Sequence, residues 1–140
     1  RQMCIRDRVI TVKPAERRDF DEAVQKFRDR DFKGCIAAMD AFKKAWPSSA
    51  YLANVDYWRA SSYYALNNFD ATAKITANMI RKFPRSPKVA DAYLLKASAE
   101  LSDGKMDAAK ASLNQIVKRF PKSDQAKTAR ERLKQIAAIK

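Results

Sequence analysis

Histidine is absent from this sequence of 140 residues, and glycine occurs only twice. Without an imidazole there is no Ser-His or Cys-His nucleophile pair, no HExxH zinc site and no histidine acid or base. Two glycines are too few for a phosphate-cradling loop, a dinucleotide fingerprint or a Gly-rich turned β-protein. Cysteine is just as scarce: Cys4 and Cys35 lack CxxC spacing, so no metal site is expected, and Cys35 reads as a small buried residue. Long apolar runs are missing too, and nothing approaches the ~18 residues that a membrane span needs. Neither an initiating Met nor a signal-like opening is present, which leaves open a true N-terminus lying upstream or a cytosolic chain.

What is there favours helix. Ala, Lys, Arg, Asp and Leu dominate, and hydrophobic residues make up 46%, enough for the core of one domain. Lys and Arg number 29 against 16 acids, giving a net charge of +13.

The informative feature is a repeat. Trp46-Pro47-Ser48-Ser49 returns as Phe83-Pro84-Arg85-Ser86 and again as Phe120-Pro121-Lys122-Ser123, a period of 37 residues. The same step aligns Ala23 with Ala60 and Ala97, Phe27 with Tyr64 and Leu101, and Phe32 with Phe69 and Met106. One column is always Ala, as a close helix crossing requires, and the others are always large and apolar. Units of this length cannot bury their hydrophobic faces alone and must stack.

Within a unit, Ala53, Tyr57, Ala60 and Tyr64 share one helical stripe, as do Ala90, Leu94, Ala97 and Leu101. A second stripe follows, Phe69, Ala73, Thr76, Ile80 and Phe83 in one unit and Phe32, Ile36, Met39 and Trp46 in another. Short polar connections at Asn67-Asn68 and Ser102-Asp103-Gly104 make each unit a helical hairpin, with Gly104 free to take the left-handed conformation. Proline ends each unit, Ser49, Ser86 or Ser123 is placed to cap the next helix, and Pro87 suits a first helical position. The architecture expected is an all-α, right-handed solenoid. Its three hairpins span about 20–56, 57–93 and 94–130, and a capping helix over about 124–139 presents Ala126, Ala129, Leu133 and Ile136 inward.

This hairpin, with a small residue at the crossing, an aromatic opening the second helix and Pro closing it, resembles the tetratricopeptide repeat, lengthened from the usual 34 residues. The family's preferred Gly is Ala in all three repeats, and its small second-helix position is Cys35, Thr72 and Ala109. A narrower resemblance lies in four runs. They are Asp19-Phe20-Asp21-Glu22-Ala23, the stretch from Tyr51 to Trp58, the stretch from Phe83 to Ala92, and Ala129-Arg130-Glu131-Arg132-Leu133. Together these resemble the C-terminal repeat domain of the YbgF/CpoB family, the cell-division coordinators of the Tol-Pal system. That resemblance implies a periplasmic protein with an upstream signal peptide and trimerising coiled coil. It implies TolA as a partner, a peptidoglycan synthase as a further one, and a role coupling peptidoglycan synthesis to outer-membrane constriction. BamD-like outer-membrane assembly proteins share the Phe-Pro-x-Ser-Pro phrase and give the alternative reading. Residues 1–8 resemble translated adapter sequence and read as a non-native head, and residues 9–18, with Pro14, read as a linker.

Two surfaces are candidates for function. Transferring the family's groove by register implies Arg17, Asn54, Tyr57, Ser61, Asp91, Leu94 and Ser98 as a concave partner-binding face, with Trp58 and Leu95 beside them. Trp58 lies next to the buried stripe and is expected to be partly exposed, whereas Tyr57 and Leu94 fit the core between repeats better than the groove, and Asn54, Ser61 and Ser98 fit a plain solvated face as well as a groove. A basic column, Lys43-Lys44, Arg81-Lys82 and Lys118-Arg119, recurs at the repeat step. Cations at helix C-termini complement the dipole without any ligand. As a binding surface, the column suits an acidic protein, anionic headgroups or an anionic polymer. A nucleic-acid role for so basic a chain would need interleaved Arg and aromatic residues, and the aromatics are taken up by the repeat stripes. Asp19, Asp21 and Glu22 sit at a helix start where acids favour the dipole, so no catalytic residue, cofactor, metal or small-molecule substrate is assigned.

Overall fold

In a computed structural model, residues 12–139 are described. Among the described residues seven helices follow one another: α1 (Pro14–Arg28), α2 (Phe32–Ala45), α3 (Leu52–Ala65), α4 (Phe69–Lys82), α5 (Val89–Ser102), α6 (Met106–Arg119) and α7 (Asp124–Ala138). Each helix packs on the next, and α1, α3, α5 and α7 also touch in sequence. The result is an all-α solenoid of three hairpins closed by α7.

The punctuation works residue by residue. Trp46, Phe83 and Phe120 end α2, α4 and α6 in nearly one conformation, with φ of −130°, −127° and −131°. A following proline disfavours helical geometry in the residue before it, so each helix stops there. Inside the hairpins a matching column turns the chain through positive φ at Arg30 (65°), Asn67 (63°) and Gly104 (79°). Asp31 and Asn68 then cap α2 and α4, accepting from the amides of Gly34 and Ala71.

The structure departs from the sequence expectations in three places. Helix α1 begins at Pro14, inside the segment read as a linker to residue 18. Pro14 occupies a first helical position, where its missing N–H costs nothing, and Glu16 accepts from the Lys13 amide at 3.2 Å. The hairpins run 14–45, 52–82 and 89–119, so boundaries at 56/57 and 93/94 fall inside α3 and α5; the proline stops, not the alanine columns, mark where units end. Of the three serines expected as caps, only Ser123 caps a helix directly, accepting from Ala126. Ser49 and Ser86 accept instead from Tyr51 and Lys88, forming one extra turn that leaves Pro87 two residues ahead of α5. The head 1–8 and the start of the linker lie outside the described residues.

Ala23, Ala60 and Ala97 are all fully buried, so the alanine column is where helices meet. Two apolar clusters form around its ends. One joins Ala23, Val24, Cys35, Met39, Phe42 and Val55; the other joins Ala97, Leu113, Ile116, Ala126, Ala129 and Ile136. Helix α4, between them, contributes to neither, and two of its three buried residues are threonines, Thr72 and Thr76.

Candidate functional site

The face formed by α1, α3, α5 and α7 holds the residues that the sequence assigned to a groove. Asn54, Tyr57, Trp58 and Ser61 on α3 are half-buried, as are Asp91, Leu94, Leu95 and Ser98 on α5; Arg17 on α1 is exposed and only loosely paired with Asp21, at 3.9 Å. These residues divide by duty. Trp58 packs against the first cluster and meets Phe27 edge-on at 4.9 Å, so its ring clamps hairpin one to hairpin two. Leu94 packs on the second cluster. Ser61 donates back to the carbonyl of Tyr57 at 2.9 Å.

Tyr57 sits under the Lys88 ammonium, 5.0 Å from its ring, and Lys88 also approaches Asp91 at 3.9 Å. Burial, then the nearby Asp91 carboxylate, pushes the Tyr57 hydroxyl above its ordinary range. The phenol therefore stays a neutral donor. Burial likewise raises the Cys35 thiol, which is enclosed and unactivated.

Helix α7 supplies residues that the sequence reading assigned only to a cap. Gln125 donates to Asp91 at 2.9 Å and Arg132 to Ser98 at 2.8 Å, so two of the proposed groove residues are already engaged. Beyond them a hollow of about 290 Å³ opens between α3, α5 and α7, lined by Tyr64, Leu101, Arg132 and Ile136 among others. The signal was available: α7 stands where the first helix of a fourth repeat would stand, so its polar residues at groove register face α5.

The basic column is split. Lys43 turns inward to the buried Asp56 at 3.0 Å, and Arg59 reaches the same carboxylate at 3.1 Å and Asp40 at 2.7 Å. Nothing in the spacing announced this network, nor a second one in which Lys96 and Ser112 both bond the buried Glu100. Arg81 bonds Asn78 at 2.7 Å, and Arg119 bonds the Tyr93 hydroxyl at 3.1 Å while lying over the Phe120 ring. Lys44, Lys82 and Lys118 remain exposed. Among the described residues no three His, Cys, Asp or Glu side chains gather to hold a metal ion, and no helix is long and apolar enough to cross a membrane.

The fold has solved relatives. The chain is similar to the first tetratricopeptide domain of Spaghetti (RPAP3) bound to the HSP90 peptide SRMEEVD. That likeness has a TM-score of 0.72 at 17% identity and covers 91% of this chain and 95% of the other. It is also similar to the N-terminal domain of stress-induced protein-1 from C. elegans, with a TM-score of 0.68 at 16% identity over 84% and 93% of the two chains. Both show the tetratricopeptide fold. No curated protein matches the sequence. The sequence profile of YfiO, described as an outer membrane lipoprotein, matches residues 14–139, from the first turn of α1 to the end of α7. A match of that extent places the chain in a family: it belongs to the YfiO outer membrane lipoproteins.

Proposed function

We propose that this chain is a non-catalytic docking module of the periplasmic side of the bacterial envelope, serving outer-membrane protein assembly in the manner of BamD-like proteins. The observation that carries the reading is the open hollow between α3, α5 and α7. Its walls combine apolar area from Tyr64, Leu101 and Ile136 with the Arg132 guanidinium, the mixture that holds an extended segment of a partner. A domain of the same fold is bound to an acidic heptapeptide, which supports a peptide-sized occupant.

The Tol-Pal reading, with TolA as partner, rests on four sequence runs, of which the stretch from Tyr51 to Trp58 weighs most. In the fold Tyr51 stacks on Phe20 at 4.5 Å and Trp58 meets Phe27, so both serve hairpin packing that any member of this architecture needs. The family match over nearly the whole chain therefore favours the assembly reading.

Calorimetric titration tests both readings. The chain is titrated with peptides from outer-membrane β-barrel proteins and with the periplasmic domains of TolA, alongside Tyr64→Ala and Leu101→Ala. Saturable peptide binding weakened about tenfold or more by either variant supports the proposal, such an anchor contributing about 1–2 kcal/mol. Binding to TolA alone transfers the role to the Tol-Pal system. Heat from neither overturns the groove.

A further inference from the structure

We propose that the edge of the solenoid formed by the inter-repeat loops docks on anionic phospholipid headgroups, holding the array end-on against a membrane leaflet. The surface is independent of the groove. Lys44, Lys82 and Lys118 lie exposed at the ends of α2, α4 and α6, where the helix dipole alone accounts for them. Lys88 is held within the protein by the Tyr57 ring and Asp91, but the dipole does not account for Arg85, Lys122 and Lys13. These stand at or just ahead of the starts of α5, α7 and α1, where the dipole opposes a cation. Cations kept on both strands of this edge point to an anion outside the protein. Asp124 is exposed on this edge beside Lys122, but the opposite edge, made by the turns within hairpins, is more evenly mixed: Asp29, Asp70, Asp103 and Asp107 are exposed there among Arg28, Lys33 and Lys105.

The basic edge is also partly apolar. A hollow of about 430 Å³ lies between two successive loops, floored by Leu52, Phe83, Pro84 and Pro87 and rimmed by Lys82 and Arg85. An apolar floor under a cationic rim matches an amphiphile with an anionic head better than a wholly polar polyanion. The cations follow three successive loops and do not converge on one point, as a planar array of charges demands and a single acidic side chain does not. The chain also enters here. Lys13, just ahead of α1, shares a hollow with Trp46, Pro47 and Ser49 of the first loop.

Co-sedimentation of the chain with phosphatidylcholine vesicles, with and without phosphatidylglycerol, tests the proposal. The chain is expected to bind only the anionic vesicles and to leave them as salt rises. Each cation near such a surface contributes roughly fivefold in affinity. Lys82→Glu, Arg85→Glu, Lys118→Glu and Lys122→Glu together should therefore weaken binding by more than ~100-fold with an unchanged helical spectrum. A control of equal net charge carries Arg28→Glu, Lys33→Glu, Lys105→Glu and Lys110→Glu on the other edge, and should lose far less. Equal loss in the two variants reduces the effect to net charge and overturns the proposal. So does indifference to anionic vesicles; if the same four cations then bind polyglutamate, the edge is a site for an acidic protein.

Discussion

Thr72 and Thr76 offer a paired experiment, because the same substitution at equal burial should move stability in opposite directions. Both are fully buried on α4. The Thr76 hydroxyl returns to its own helix, donating to the carbonyls of Thr72 at 2.8 Å and Ala73 at 3.1 Å, which already serve the helical ladder. Such back-bonds add little and slightly disfavour the helix. Thr76→Val keeps the branched side chain and replaces the hydroxyl with a methyl worth about 0.8 kcal/mol when buried, so a gain of about 1 kcal/mol is expected. Thr72 differs, since its hydroxyl also crosses to α3 and donates to the Ala60 carbonyl at 3.1 Å. Thr72→Val loses that bond, about 1 kcal/mol net, and sets a methyl closer to oxygen than the ~3.3–3.6 Å such a contact tolerates. A net loss of about 1–2 kcal/mol follows. Urea denaturation at constant m reads both. Shifts of the same sign and size would refute the distinction between a bond within a helix and one between helices.

Other perturbations test the remaining contacts. Ala97→Leu should cost at least about 2 kcal/mol in thermal unfolding, because the fully buried alanine at the α5 crossing leaves no room for three more carbons. Asp56→Ala should destabilise by about 1–3 kcal/mol, less than a wholly buried pair because Lys43 (33% exposed) and Arg59 (18%) can turn to water. A double-mutant cycle of Asp56 with Lys43 should show coupling that survives moderate salt. The raised Cys35 thiol and Tyr57 hydroxyl favour the neutral native state, so the unfolded chain ionises first as pH rises. That contribution is complete below pH 9.0, the ordinary thiol value, and lost as pH climbs through the raised values; urea midpoints at rising pH should fall, and alkylation of Cys35 should track global unfolding.

Much of the fold was legible because the repeat speaks three times. Trp46, Phe83 and Phe120 each precede proline, and one geometric stop serves all three. Pro14 stood alone, and a proline fits a linker and a first helical position equally well. The turn column at Arg30, Asn67 and Gly104 carries its signature at the asparagine and the glycine, whereas arginine carries none for positive φ. The site was harder for a physical reason: α3 and α5 are covered on two sides, so no single stripe marks their open face. Val55 and Asp56 are adjacent and both buried, and Ser62 is buried beside the half-buried Ser61. The inward turn of Lys43 depends on the acid at Asp56, which has no counterpart one period on, where Tyr93 stands.

The middle hairpin joins the two ends by polar means. Each apolar cluster sits at one end of the array, and α4 between them is held by buried hydroxyls: Thr72 bonds the Ala60 carbonyl on α3 as well as the Asn68 carbonyl, and Thr76 bonds within α4. A hydroxyl that must meet a carbonyl at bonding distance and angle fixes the register of one helix on the next, which apolar contact alone leaves looser. The middle repeat therefore acts as the alignment pin of the array, and the clusters at its ends supply the cohesion.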